Sequence, residues 1–424
     1  MKKVYIILIG LGILAPFLYI EVAIVFNAVN LPYQDSWSLV PVFQAIHHNE
    51  ILRAFTLLWH QHNEHRVFFP NLVSVLVALI TKWNQPLEMV LDALIALMYF
   101  IILSWFINKA TANRIIKLIA MAITSLIIFS PIQWENWLWG WQIEWFMCIL
   151  LGIASLTLLD YRIKFISKNK SYALAALLCF IASFSLGNGL VFWITGLISL
   201  VINKHSPKKV YLWISGFVLS LSLYLYNYTF LSGGNLHQNI ISYLEFFLGY
   251  IGAPFSSQHA GMAITLGLII LSISGLLLYK AIKIDGLSLR LFTIPIGLIV
   301  FVIISDVLTA HARLGIFGIN GALASRYTSV SLLYIVAILL ILIQLKLSYF
   351  NWAIIVTLLI PFIVASYVVG QNQLHSHSVY FISLKKCLNM PTPSTLCLSE
   401  VYPSPGQLNV WIKYLETTKY GGFN

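Results

Sequence analysis

Two short stretches hold most of the groups in this chain that could do chemistry. The first reads Leu31-Pro32-Tyr33-Gln34-Asp35-Ser36-Trp37, and the second reads Trp59-His60-Gln61-His62-Asn63-Glu64-His65-Arg66 directly before Phe68-Phe69-Pro70. A carboxylate such as Asp35, held where water meets lipid, can take a proton from an acceptor hydroxyl. Aspartate before Ser-Trp also suits a helix N-cap, and both readings are open. Glu64 is a second carboxylate and a second catalytic candidate beside Asp35, and the planar fork of Arg66 matches a phosphate. His62 and His65 are suited to orient or hydrogen-bond a substrate. Their spacing of three on a helix would also admit a divalent metal, but no CxxC or HExxH accompanies them. An ion-pair network at the membrane interface is the remaining reading of this cluster.

A third stretch is aromatic and runs Gln133-Trp134-Glu135-Asn136-Trp137-Leu138-Trp139-Gly140-Trp141-Gln142-Ile143-Glu144-Trp145. Five tryptophans within residues 134–145 exceed an ordinary aromatic belt, although a belt is the simplest account. Indole faces interleaved with Gln, Asn and Glu suit sugar rings, whose C–H faces stack and whose hydroxyls need polar partners. Late in the chain come His311, Arg313, Asn320 and Ser325-Arg326-Tyr327. Arg326 opens an apolar run, where it either snorkels to the interface or binds a second phosphate oxygen. Gly187-Asn188-Gly189 is read most simply as a tight turn.

The elements that must position these residues are membrane helices. Hydrophobic residues make up 59% of the 424 and charged residues only 9%. A soluble domain is about 25% charged, so lipid has to be the solvent for much of this chain. Secreted, cytosolic, fibrous and disordered classes are excluded, and continuous apolar runs argue against a membrane β-barrel. The sequence predicts an all-α polytopic protein with about 11 spans, near 4–26, 87–107, 116–131, 143–159, 172–186, 190–203, 210–230, 260–280, 290–308, 327–345 and 352–370. The run 67–81 is read as a short helix lying at the outer surface. The formal charge of +11 comes from Lys and Arg in short loops, which reports topology rather than nucleic-acid binding. Lys2, Lys3, Lys109, Arg114, Lys117, Lys164, Lys168, Lys204, Lys209, Arg290 and Lys346 then face the cytoplasm, as does the N-terminus. The division expected is a transmembrane domain over 1–370, whose long outward first loop spans 28–86 and contains interfacial helices, and a small outward tail over 371–424. Outer loops are also expected at 131–142, 231–259 and 309–326. The prolines of the tail predict a loop-rich segment. Cys387 and Cys397 could pair there in an oxidising compartment, while Cys148 and Cys179 pack in apolar runs.

The order of these motifs resembles the GT-C glycosyltransferase superfamily: a first span, a long outer loop with an early acid, an interfacial helix, then many further spans. Tyr33-Gln34-Asp35-Ser36-Trp37, His62-Asn63-Glu64-His65-Arg66 with Phe69-Pro70, the Trp137-Leu138-Trp139-Gly140-Trp141-Gln142 segment and Ser325-Arg326-Tyr327 are also similar to bacterial glycosyltransferase-like membrane proteins. The resemblance covers about residues 1–345. It implies inverting transfer of a sugar from a polyprenyl-phosphate carrier to an envelope glycan or lipid acceptor outside the bacterial cytoplasmic membrane. Asp35 matches the first-loop acid of the superfamily and is the expected general base. Many members carry two adjacent acids there, whereas this chain has Gln34 before Asp35. On this reading Arg66, His62, His65 and Arg326 hold the donor phosphate. Trp37, Trp134, Glu135, Trp137, Trp139 and Gln142 meet the sugar or acceptor. Some members need a divalent metal and others need none, and no further cofactor is implied. The competing classes are an O-antigen polymerase or ligase and a lipid-linked sugar flippase or transporter. A transporter would place its polar groups near mid-membrane, where Glu21, Asp92 and Asp306 are the candidates.

Overall fold

The computed structural model describes residues 2–163, 166–230, 239–256, 258–345 and 347–423, with side chains from residue 10 onward. Lys164, Lys346 and part of the expected outer loop 231–259 therefore lie outside the described residues. The described chain is helical, and its only β-type pairing is an isolated bridge between His62 and His65. In chain order the helices are α1 (Lys2–Asn27), α2 (Val40–His47), α3 (Ile51–Trp59), α4 (Phe68–Thr81), α5 (Gln85–Ala110), α6 (Arg114–Ile128), α7 (Trp134–Trp137), α8 (Ile143–Leu159), α9 (Lys168–Ser183), α10 (Val191–Ile202), α11 (Pro207–Leu225), α12 (Ile240–Gly252), α13 (Ala260–Tyr279), α14 (Thr293–Phe317), α15 (Thr328–Gln344), α16 (Tyr349–Leu388), α17 (Thr395–Val401) and α18 (Pro405–Thr418). Eight stretches are long and apolar enough to cross a membrane: Gly10–Asn27, Gln85–Ala110, Arg114–Trp137, Gly140–Leu159, Ala260–Ile284, Leu289–Leu323, Ser325–Gln344 and Tyr349–Leu388. The chain is thus a polytopic helical membrane protein. α4, with 14 residues, falls short of the about 17 that a span requires.

Each of the eleven apolar runs seeds a helix, because a continuous apolar segment can satisfy its backbone in lipid only by internal hydrogen bonds. α15 is the hub, with nearly every side chain from Thr328 to Gln344 buried by neighbouring helices. Two elements depart from expectation. The stretch read as the middle outer loop contains α12, which packs against α13. A Cβ on Gly252 would lie 1.9 Å from the Ala263 carbonyl oxygen, and one on Gly267 would lie 1.9 Å from that of Leu248. Glycine at both contacts lets the two backbones touch. α12 has only 13 residues, so its length suggested a loop.

The tail is the second departure. The expected boundary at 370/371 falls inside α16, which runs unbroken for 40 residues to Leu388. At 1.5 Å per residue it is about 60 Å long, twice the hydrocarbon thickness of a bilayer, so its final turns stand clear of the lipid. Beyond 370 its composition turns polar, but Leu374, Ser378, Phe381, Leu384 and Leu388 keep a buried stripe at helical spacing. From Phe381 onward that stripe joins α17, α18 and the first loop in a second apolar core. Trp37, Phe43 and Trp83 from the loop meet Trp411, Leu415 and Phe423 from the tail. Of the tail prolines, Pro405 opens α18, while Pro391, Pro393 and Pro403 lie in the short connections between the helices. Cys387 and Cys397 form a disulfide that ties the end of α16 to α17, with Cα atoms 6.5 Å apart. Closing so short a loop contributes on the order of 2–3 kcal/mol.

Candidate functional site

Between the first loop and the ends of five helices lies a cavity of about 520 Å³. Asp35 enters it from a six-residue 3-10 turn, Gln34–Leu39, that follows the end of α1. The N-cap of this turn is Tyr33, and the Asp35 side chain caps nothing. The carboxylate therefore points to the cavity instead of satisfying its own backbone. His62 faces it, with Nε2 3.1 Å from Asp35 Oδ1 and angled off a straight hydrogen bond. His62 and His65 exchange backbone hydrogen bonds of 2.8 Å across Asn63-Glu64, and Asn63 has φ +48°. This is a tight turn, not the helix that a spacing of three allowed. Two tyrosines at the end of α11 fix it, because Tyr224 and Tyr228 both donate to the Glu64 carbonyl at 2.8 and 3.1 Å.

Glu64 and Arg313 form a bidentate pair at 3.1 and 2.9 Å on the far wall, and Arg313 Nε also donates to the Tyr327 hydroxyl at 3.2 Å. Both Glu64 oxygens are thus occupied, which suits an orienting role better than that of a second base. Arg326 differs. Its guanidinium makes no ion pair among the described residues, lies 5.4 Å from the centre of the Tyr327 ring and borders the same cavity as Asp35. Its backbone is clamped from both sides: the N–H donates to Glu135 Oε2 at 2.9 Å, and the carbonyl accepts from Asn136 Nδ2 at 3.1 Å. Glu135 therefore positions Arg326 and does not line the cavity.

Charge follows burial and neighbours. Burial pushes the Asp35 carboxyl up, but the His62 imidazole against it and the Arg326 charge nearby outweigh that and hold it below the ordinary carboxylate range. Asp35 is consequently ionised at neutral pH. Burial also pushes the His65 imidazole down to about 4, so it is neutral there. Its Nδ1 accepts from the Gly187 N–H at 3.4 Å, and a Cβ on Gly187 would lie 2.8 Å from that nitrogen. The Gly187–Gly189 turn is therefore part of the wall, and His65 shapes the cavity without adding positive charge for a phosphate.

The aromatic loop divides by register. Trp139, Trp141, Gln142, Glu144 and Trp145 line the cavity. Trp139 Nε1 donates to Ser36 Oγ at 3.1 Å, and Trp141 packs on His62 with ring centroids 5.0 Å apart. Gln142 Oε1 and Glu144 Oε2 are buried with no partner among the described residues. Trp37, Trp134 and Trp137, expected to meet sugar, do not reach it. Trp37 is fully buried and stacks on Trp411. Trp134 packs on His377, and Trp137 is core, donating to the Ser130 carbonyl at 3.0 Å. These are ordinary destinations for large apolar rings once helices close over them.

Arg66 is also corrected. It is 3% exposed, lies off the cavity and directs its fork at backbone: Nε to the Tyr224 carbonyl at 2.6 Å, Nη1 to the Trp59 carbonyl at 2.9 Å and Nη2 to the Tyr226 carbonyl. It ties the first loop to the orphan carbonyls at the end of α11. Arg66→Lys should therefore act on stability. Lysine cannot span three carbonyls on two segments, and each charged hydrogen bond lost is worth about 1.5–3 kcal/mol. The thermal midpoint of the purified protein should fall by several degrees. An unchanged midpoint together with weakened binding of a phosphate ligand would return Arg66 to the site.

Glu144, Trp145, Tyr224, Tyr228 and Arg313 were not among the expected site residues. Glu144 opens an apolar run, and an acid there is a usable signal. Tyr224 and Tyr228 stand at i and i+4 at the end of α11, which reads as ordinary interface chemistry until the loop docks on them. Among the described residues no three His, Cys, Asp or Glu side chains converge to hold a metal. The fold and site together define a multispan helical membrane protein with a polar, tryptophan-walled cavity. Comparison with protein-family models, curated proteins and solved structures finds no match.

Proposed function

We propose that this chain is a membrane glycosyltransferase of GT-C type. It moves a sugar from a polyprenyl-phosphate donor to a glycan or lipid acceptor on the outer face of the bacterial cytoplasmic membrane, inverting the anomeric carbon. The observation that carries this reading is the placement of an ionised Asp35 and an ion-pair-free Arg326 on one cavity. Asp35 takes the proton of the acceptor hydroxyl as its oxygen attacks the anomeric carbon. The bond from that carbon to the phosphate oxygen breaks, and Arg326 receives the charge that develops on the leaving phosphate. Trp139 and Trp141 offer ring faces to the sugar, and Gln142 and Glu144 offer polar atoms to its hydroxyls. Glu64 and Arg313 hold the wall. On this reading the N-terminus lies in the cytoplasm and residues 371–424 lie outside.

A second reading, as a lipid-linked sugar flippase, is favoured by one observation: the Asp92 and Asp306 carboxylates lie buried in helices with no partner among the described residues. Mass spectrometry of envelope glycans and lipids with and without the gene separates the two. Loss of a single sugar from an otherwise complete acceptor supports transfer. Accumulation of intact lipid-linked sugar behind the membrane, with no acceptor lacking one residue, would replace it with transport.

A further inference from the structure

A second polar cavity, of about 330 Å³, lies at the other end of the bundle. α8 starts beside the first cavity and ends at Leu159 on the border of this one, after 17 residues or about 25 Å. α10 runs the same way, from the Gly187–Leu190 turn to Ile202. Lys168, Lys204, Lys209 and Arg290 converge on this space from four separate segments. None of them is ion-paired among the described residues. The one carboxylate on the wall, Asp160, is already matched, since its fully buried side chain accepts from Arg162 Nε at 2.7 Å and from Nη2 at 2.8 Å.

Gathering four like charges around one hollow is unfavourable unless an anion offsets it. The backbone adds to the same field. α9, of 16 residues, and α11, of 19, both begin here, so two positive helix ends face the space. Ser206 precedes α11 without capping it, which leaves its hydroxyl available. Lys209 is steered inward by the Tyr172 ring, 5.5 Å from its Nζ. His205 between them is pushed down by burial and by Lys209, Lys168 and Arg290, as expected where positive charge is in excess.

We propose that this cavity binds a phosphate-bearing anion, either an anionic phospholipid headgroup from the adjoining leaflet or free phosphate. Basic pockets between membrane helices are suited to such headgroups, because the acyl chains stay in lipid while the phosphate meets the cations. The site is independent of the glycosyl-transfer reading, since it shares no residue with the Asp35 cavity.

The test uses the full chain in nanodiscs of phosphatidic acid and phosphatidylcholine, with retained lipid counted by native mass spectrometry and inorganic phosphate titrated separately. The comparison is wild type against Lys204→Gln/Lys209→Gln/Arg290→Gln and against a charge-matched control, Lys109→Gln/Arg114→Gln/Lys117→Gln. Wild type and control should retain phosphatidic acid at least tenfold over phosphatidylcholine, and the cavity variant should lose that preference. Lys204→Gln alone, at an exposed side chain, should lower it about threefold without affecting folding. If lipid preference is absent but inorganic phosphate binds wild type and not the cavity variant, the site stands with a soluble ligand. Equal loss in the charge-matched control, or no binding of either anion by wild type, overturns the proposal.

Discussion

Asp35→Asn should lower sugar transfer by about 10²–10⁴-fold in a reconstituted assay with polyprenyl-phosphate sugar, the usual contribution of a positioned base. The substitution keeps size and hydrogen-bonding capacity and removes only the proton acceptor. Protein yield should hold, because the Asp35 side chain is 38% exposed to the cavity and caps no helix. The pH dependence has a definite sign. With the Asp35 carboxyl held below the ordinary carboxylate range, the ionised form is the one present at neutral pH, and transfer limited by this group falls only in acid more extreme than protonates an ordinary aspartate. A well-folded Asp35→Asn protein with undiminished transfer would sink the mechanism and raise the flippase reading.

The second large effect belongs to Arg326. Arg326→Ala should reduce kcat by about 10²–10³-fold, the range seen when one preorganised donor to developing charge is removed. Arg326→Lys should recover part of this, since it restores charge without the fork. The backbone clamp from Glu135 and Asn136 does not depend on the side chain, so the position should stay folded in both variants. If the arginine only snorkels to the interface, both variants will transfer at wild-type rates, and the leaving phosphate must then be met elsewhere.

What the sequence made legible follows the range of the forces involved. Helices at the eleven apolar runs are local consequences of composition, and each forms. Asp35, His62, Trp139, Gln142 and Arg326 were also readable, because polar or aromatic groups stranded at the ends of apolar runs have few structural uses. Arg66 shows where this fails. Whether its fork meets a phosphate or a backbone depends on carbonyls at Tyr224 and Tyr226, placed against it only by the tertiary fold. The aromatic loop fails more subtly. Trp137 and Trp139 are two residues apart, yet one is core and the other lines the cavity, because short helical turns at 134–142 rotate them to different sides. The α16 extension was hidden because its buried stripe is interrupted by polar residues, and a partner such as Tyr33, which packs on Phe381, sits 348 positions earlier in the chain.

The join between the first loop and the tail has a mechanical meaning. Gly421 donates its N–H to the Lys82 carbonyl at 2.9 Å, Gly422 turns at φ +77° against Asn30, and Phe423 packs on Trp37, two residues from Asp35. The tail thus backs the turn that carries the acid without lining the cavity itself. A substitution at Phe423 is therefore a lever on the position of Asp35 from outside the cavity.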